Sequence, residues 1–362
     1  MRNVNSEIAL LAERAGIVFD GAIDFLPRVK DTTGLYGALD LPRVQMALDS
    51  MASDAATYQQ QPLVTNPSAG IPSFLTTYLD PKLIEVLLAP MKSEEIYGVT
   101  KKGDWTTQTA MFALVESTGE VSAYGDYNVD GRSSANVNYP QRQSFLYQTM
   151  TEWGELELER MGAGKVDWAA RLNISSANTL NRFGNLMNFY GVQNLQNYGG
   201  LNDPSLSAAL TPYTKAAGGT SWANALPTEI LADIQKAFAQ LQTQTGGNAE
   251  LTDKLTLALH PVSEVYLANT NSFGLTAAEM IKKVFPNIRF VNAIQYLSGT
   301  TYSFQLIIDD LDGQKTAECA FNEKMRAHRI VPAESSFRQK KTAGGWGTII
   351  YRPICITSMA GI

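Results

Sequence analysis

Histidine and cysteine are scarce, two of each in 362 residues, and that scarcity excludes much chemistry. His260 and His328 are not at metal-ligand spacing, and neither has a cysteine close enough for a zinc site. Both read as structural or solvent-facing. Cys319 and Cys355 allow one disulfide at most and read as reduced thiols. No stretch approaches the roughly 20 apolar residues of a membrane span, so no membrane partner is expected. The first twenty residues carry Glu7, Glu13, Arg14 and Asp20 and lack the basic-then-apolar pattern of an export signal. Basic charge is short as well. With 29 Lys and Arg against 35 Asp and Glu, the net charge of −6 argues against a general nucleic-acid-binding surface. Arg338, Lys340 and Lys341 form the nearest approach to a basic run, and it reads as a solvated face.

Catalytic motifs are missing too. The chain has no His-Glu-x-x-His, no Gly-x-Ser-x-Gly, and no Gly-x-Gly-x-x-Gly between a strand and a helix. Residues 162–166 (Gly-Ala-Gly-Lys-Val) resemble a phosphate loop, but Glu159 stands where its first glycine belongs. Val166 stands where the magnesium-binding hydroxyl belongs. Residues 309–313 (Asp-Asp-Leu-Asp-Gly) resemble a calcium loop, yet Ile308 and Cys319 occupy its first and twelfth positions, so the stretch reads as a turn. Asn173 heads a glycosylation triplet on a predicted helix, a chance match. Glu157 and Glu159 lie two apart on a helix and do not face each other. No catalytic, cofactor-binding or metal-binding residue is assigned.

What is present is a long polar stretch feeding a long helix. Residues 105–151 read as a hairpin whose arms, 106–116 and 143–153, are rich in threonine and apolar residues. Between them lie about two dozen residues dominated by Gly, Ser, Asn, Asp, Tyr and Val, longer than ordinary connections. Arms of roughly 20 residues at about 3.3 Å each reach some 60 Å. A compact chain of this length has a radius of gyration of only about 21 Å. The hairpin must overhang its own globule and rest on something else, and another copy of the chain is the obvious support.

The helix is predicted over 152–190, with Leu156, Ala163, Val166, Ala170, Ile174, Ala177, Leu180 and Met187 along one face. Gly154, Gly162, Gly164 and Gly184 make a kink or break plausible. Its acidic start, Glu152, Glu155 and Glu159, suits the helix dipole. Ion pairing of these carboxylates to an arginine of a neighbouring subunit stays open beside that reading.

Upstream, residues 1–70 form an extended arm, and Asp80 with Pro81 opens a short helix ended by Pro90. Downstream of a turn-rich link at 199–219, helices are expected at 227–245, 261–269 and 276–285, the last with a Thr276/Glu279 capping box. Strands are expected at 254–259, 288–291, 303–308 and 315–321, the last two joined by a turn at Asp312 and Gly313. A final strand-like run at 346–359 contains Pro353, which implies an edge or a bulge. The fold class is α+β.

Several strings carry a resemblance. They are residues 70–81 (Gly-Ile-Pro-Ser-Phe-Leu-Thr-Thr-Tyr-Leu-Asp-Pro), 101–107 (Lys-Lys-Gly-Asp-Trp-Thr-Thr) and 117–126 (Ser-Thr-Gly-Glu-Val-Ser-Ala-Tyr-Gly-Asp). Three more are 135–144 (Ala-Asn-Val-Asn-Tyr-Pro-Gln-Arg-Gln-Ser), 191–199 (Gly-Val-Gln-Asn-Leu-Gln-Asn-Tyr-Gly) and 201–204 (Leu-Asn-Asp-Pro). Across about 60–205 the chain resembles a family of tailed-bacteriophage major capsid proteins. Beyond 205 the likeness rests on element order and on Tyr351-Arg-Pro353.

The resemblance implies an N-terminal arm (1–75), the start of a peripheral domain (76–104) and an extended-loop hairpin (105–151). A spine helix with more of the peripheral domain (152–222), an axial domain (223–333) and a C-terminal strand returning to the peripheral domain (334–362) would follow. It implies a virion protein, assembled in the host cytoplasm, whose copies form pentamers and hexamers of an icosahedral head around double-stranded DNA. Portal, scaffold and decoration proteins are possible partners, and no enzyme activity or cofactor is implied. A related alternative is an encapsulin-like compartment shell. Inter-subunit contacts are expected from Trp105, Phe112, Glu120, Tyr124, Tyr127, Arg132, Tyr139 and Arg142 of the extended loop. Some capsids of this fold link a loop lysine covalently to a neighbour's asparagine. Here no lysine occurs between Lys102 and Lys165, so a non-covalent lattice is expected. The acidic balance also implies an inner surface that attracts DNA only weakly.

Overall fold

A computed structural model describes residues 90–163 and 167–362. The expected N-terminal arm, the helix opened by Asp80 and Pro81, and Gly164 and Val166 lie outside the described residues. Helix α1 (Ser93–Tyr97) leads into strand β1 (Val99–Lys101). Then come β2 (Thr109–Met111), β3 (Leu114–Gly119), β4 (Ser133–Asn138), β5 (Gln141–Gln143) and β6 (Phe145–Gly154). Helices α2 (Glu155–Ala163), α3 (Trp168–Tyr190) and α4 (Pro227–Gln244) follow. After β7 (Leu255–Leu259) come α5 (Pro261–Tyr266), α6 (Ala277–Val284), β8 (Ile288–Asn292), β9 (Leu297–Ser298) and β10 (Thr301–Ile308). The chain closes with β11 (Asp310–Leu311), β12 (Gln314–Lys315), β13 (Ala317–Pro332), β14 (Ser336–Ile350) and β15 (Ile356–Ala360).

These elements build two bodies. In one, a sheet ordered β15-β10-β7-β8, with β9 on β10, carries α4 and α6 on one face. Side chains alternate along its strands as period-2 geometry requires. Leu255, Leu257, Leu259, Phe304, Leu306 and Ile308 enter the core with Trp222, Ile230, Ile234 and Phe238. Ala258 and Ile307 point the other way, toward the second body. The α4 and α6 boundaries match the sequence expectation because their ends are chemically marked. Pro227 opens α4, and Glu229 accepts the Leu226 N–H at 2.7 Å. Thr276 and Glu279 form the reciprocal capping box of α6.

In the other body α3 lies against a sheet ordered β1-β13-β14-β6, in which only the β1–β13 pair is parallel. Phe183, Leu186, Met187, Phe189 and Tyr190 of α3 bury against it and against the back of the first sheet. Gln305 ties the bodies together: it accepts from Tyr97 (2.7 Å) and Tyr296 (3.1 Å) and donates to the Gly200 carbonyl (2.9 Å). Loop 191–200 folds tightly onto the end of α3. A Cβ on Gly199 would sit 2.2 Å from the Phe189 backbone.

Several expectations need correction. The return arm of the hairpin, read as 143–153, pairs mostly elsewhere: β6 runs antiparallel to β14 from Phe145↔Gly345 to Gly154↔Ser336. The helix expected over 152–190, with a kink or break, is two helices; its start moves because 152–154 are still strand, and Asp167 caps α3 by accepting the Ala170 N–H. The strand expected at 315–321 extends to Pro332, and its partner β14 begins at Ser336, ten residues before the strand-like run expected from 346. Asp312 and Gly313 do form a turn, both at positive φ, but it joins β11 to β12; β10 and β13 belong to different sheets. The terminal run is two strands, β14 in one sheet and the edge strand β15 in the other, separated by a short 3-10 turn at Pro353–Cys355.

Lys341 is the clearest reversal. The run 338–341 reads as solvated, yet Lys341 is only 4% exposed and reaches under α3 to Asn173 Oδ1 (2.6 Å) and Ser176 Oγ (2.5 Å). Burial holds its pKa below the usual 10.5.

Candidate functional site

The hairpin is built from two short ribbons, β2–β5 and β3–β4, joined where Phe112 N–H donates to the Pro140 carbonyl. Its root and its tip behave differently. At the root, Ser144 donates to the Thr107 carbonyl (2.8 Å) and Gln143 N–H to the Gln196 carbonyl (2.9 Å). Arg142 donates to Asp203 at 2.7 Å and stacks over Tyr198 at 4.8 Å. The Asp203 side chain is fully buried and also accepts from Ser205. Trp105 packs edge-on to His328 at 6.4 Å with Arg326 over its ring at 5.7 Å. Phe112 meets Tyr351 at 6.0 Å, and Lys102 lies near both rings.

Trp105, Phe112 and Arg142, expected as contacts to a neighbour, each make contacts within their own chain. Sequence reasoning missed their partners because Asp203, Arg326, His328 and Tyr351 are remote in the chain.

Beyond the root nothing in the described chain covers the loop. Every residue of β3 and β4 is exposed. At the tip Tyr124 is 94% exposed, Val121 97% and Tyr127 99%. Glu120, Arg132 and Tyr139 are exposed as well. The tip nonetheless holds its own shape. Asn128 donates to the Ala123 carbonyl (2.7 Å) and accepts the Asp130 N–H (2.9 Å), and Ser122 donates to the Asp130 carbonyl (2.7 Å). A loop ordered by local polar bonds presents aromatic and branched side chains to its surroundings with little ordering entropy left to lose on docking.

Of the acidic residues at the helix start, Glu152 lies on β6 and pairs with Arg338 of its own chain at 3.4 Å. Glu155 and Glu159 sit on α2, a helix with no buried residue, beside the exposed Leu156 and Leu158. The outward face of β6, β14 and β13 forms a groove of about 620 Å³, lined by Met150, Arg326, His328, Arg329, Val331 and Lys340 among others.

Among the described residues the titratable groups are dispersed. His260 caps α5, its Nδ1 accepting the Val262 N–H at 3.2 Å, and burial lowers its pKa. His328 bonds Thr342 at 3.0 Å. Cys319 and Cys355 are buried free thiols, and burial pushes Cys319 up to about 12. Among the described residues no cluster of His, Cys, Asp and Glu is arranged to hold a metal, and no helix is long and apolar enough to cross a membrane.

Two bodies sharing a hydrophobic junction, with a hairpin cantilevered from one of them, define the class: this is the tailed-phage capsid fold. The chain is similar to the capsid protein of Myoviridae phage XM1, with a TM-score of 0.69 at 13% identity over 82% of this chain and 100% of that one. It is also similar to the capsid of a native GTA particle (TM-score 0.58, 11% identity, 82% and 99%). A Gordonia phage Cozz chain superposes with TM-score 0.54 at 10% identity over 83% and 98%. No curated protein matches in sequence. The sequence model of the Pa193 gp26 major capsid protein family matches residues 62–361, and the chain belongs to that family. Its role is therefore structural: it is a shell-building subunit of the tailed-phage kind.

Proposed function

We propose that copies of this chain assemble into pentamers and hexamers of an icosahedral head that encloses double-stranded DNA without reading its sequence. The observation that carries the reading is the uncovered tip, where Val121, Tyr124 and Tyr127 stand in solvent although their loop is tied by its own hydrogen bonds. Exposed apolar surface of this kind marks a docking site. Laid across a neighbour, the hairpin adds contact area that a compact body lacks, toward the roughly 1,000 Å² a stable interface needs.

In this reading the four-stranded body with α3 is the peripheral domain and spine, and the five-stranded body is the axial domain near the local symmetry axis. The protein is carried in the virion after assembly in the host cytoplasm. It performs no catalysis, and portal, scaffold and decoration proteins are its further partners. The family match is to a phage capsid protein, which favours a genome-enclosing head over an encapsulin-like compartment.

The test is to replace residues 119–133 by Asn-Gly, leaving β3, β4 and the Arg142 anchor otherwise in place. The variant should keep the thermal transition of the wild type and lose shells and rings in negative-stain microscopy. Shells of normal size from that variant would overturn the reading.

A further inference from the structure

We infer that β6 is an open sheet edge that pairs antiparallel with β6 of a second copy of this chain, merging two four-stranded sheets across a two-fold axis. The inference rests on the shell-subunit reading above and names a surface that links one ring of subunits to the next.

One side of β6 is bonded to β14, and among the described residues no strand pairs with its other side. Outside the sheet ladder no backbone hydrogen bond of the described chain reaches residues 145–153. Half of the N–H and C=O groups along this edge therefore point away from any strand. The strand has ten residues, which at about 3.4 Å each gives an edge of roughly 34 Å.

The same sheet shows what a guarded edge looks like. Beyond Phe321 the outer side of β13 is also unpaired, because β1 reaches only residues 319–321. That stretch carries Lys324, Arg326, Arg329 and Pro332, with register shifts between Glu323 and Arg326 and between Ala327 and Ile330. Charge, proline and bulges are the devices that keep edge strands from pairing with other chains. The β6 edge has none of them. Its register with β14 is unbroken from Phe145↔Gly345 to Gly154↔Ser336. It contains no Pro, Lys or Arg, and its one charge, Glu152, is paired with Arg338 of its own chain.

Geometry selects a second copy as the occupant. A strand that pairs antiparallel with its own copy generates a two-fold axis perpendicular to the sheet, an isologous contact. Lys341 bonds Asn173 and Ser176, so α3 covers the face that carries Lys341 and its cross-strand partner Thr149. The axis places both α3 helices on that same face. The merged sheet then has one helical side and one bare side, as a shell wall with an inside and an outside requires. Leu156 and Leu158, on the helix that directly follows β6, are exposed where the chain leaves this edge.

Centring the pairing on Thr149 lays residues 145–153 of the two strands side by side. Gly154 stays out of it because its N–H already donates to Glu157. In this register Gln148 faces Met150 of the second copy, Leu146 faces Glu152, and Thr149 meets Thr149 on the axis. No like charges are opposed, and a Thr–Thr pair across strands is favourable.

Two experiments on the full chain test this. Gln148 and Met150 are exposed, so substitutions there leave the fold in place, which a thermal melt verifies. First, chains carrying Gln148→Cys are mixed with chains carrying Met150→Cys, assembled and mildly oxidised. Directly opposed residues lie about 4.5–5.5 Å apart between Cα atoms, inside the span of a disulfide. The native thiols are buried and do not compete. The mixture should give a disulfide-linked dimer on a non-reducing gel, in excess of either variant alone. Particles that form without that dimer would overturn the inference and leave the shell reading standing.

Second, a chain with Gln148→Lys and Met150→Lys opposes lysines across the axis. It should still form rings in negative-stain microscopy but lose closed shells. A chain with Gln148→Lys and Met150→Glu opposes unlike charges and should regain them. Closed shells from the double-lysine chain, or no recovery with the Lys/Glu chain, would sink the pairing. Loss of rings as well as shells is the outcome assigned to the hairpin replacement, so the two readings fail separately.

Discussion

Asp233 shows how much a single residue stabilises here. Its buried carboxylate accepts from Lys215 Nζ, from Trp222 Nε1 at 2.8 Å and from the Tyr213 N–H at 2.9 Å, pinning the loop at 213–222 to α4. Asp233→Ala removes three bonds and leaves an ammonium without its counter-charge in a dry site, an expected loss of about 3–5 kcal/mol in denaturant unfolding. His260 acts through its protonation state. Its Nδ1 must be unprotonated to cap α5, and burial sets its folded pKa below the ordinary 6.5. The unfolded chain therefore binds a proton first as pH falls. Stability is full above about pH 6.5 and declines below it until the folded pKa is passed. Thermal melts from pH 7.5 to 5 should show this decline, and His260→Asn, which caps without titrating in that range, should reduce it.

Among the elements, the helix pair α2–α3 and the hairpin carry the architecture. Asp167 starts α3 by accepting the Ala170 N–H at 3.1 Å, so Asp167→Ala should cost about 1 kcal/mol in chemical denaturation. The tight fold-back at 191–200 is more demanding. Gly199→Ala places a methyl group 2.2 Å from the Phe189 carbonyl, inside any van der Waals contact, and should lower the melting temperature sharply or prevent soluble expression.

The helices α4 and α6 are legible in the sequence because proline, glutamate and a capping box mark their ends. Of the β13–β14 pair only the inner ends, inside the runs expected at 315–321 and 346–359, are legible. Four register irregularities interrupt its alternation, and the outer half of β13 is largely exposed, so no hydrophobic period of 2 survives to be read. Deeper in the same sheet, Trp346 and Ile349 are buried by contacts that lie far away in sequence.

For the whole molecule, the absence of lysine from 103–164 bears on the lattice. The extended loop offers no amine for an isopeptide link, so particles boiled in denaturing detergent should run as a single monomer band. A ladder of covalent multimers would contradict that. Exposed Leu156, Leu158 and Ile174 on the two helices mark further surface that a compact monomer leaves uncovered, in keeping with a subunit whose packing is completed by its neighbours.

The sequence by itself determined that a loop of this length and polarity would leave its globule, and that the chain after the link at 199–219 would be α+β with chemically capped helices. It also determined that the hairpin carries no lysine amine of its own. Only the tertiary structure decided which loop residues are free. Arg142 finds its partner 61 residues away, and Lys341 finds Asn173 at a separation of 168. Local periodicity carries no information about partners at such distances, because they are chosen by how the sheet and helix pack. Trp105, Phe112 and Arg142 have contacts within their own chain, while Glu120, Tyr124, Tyr127, Arg132 and Tyr139 are exposed.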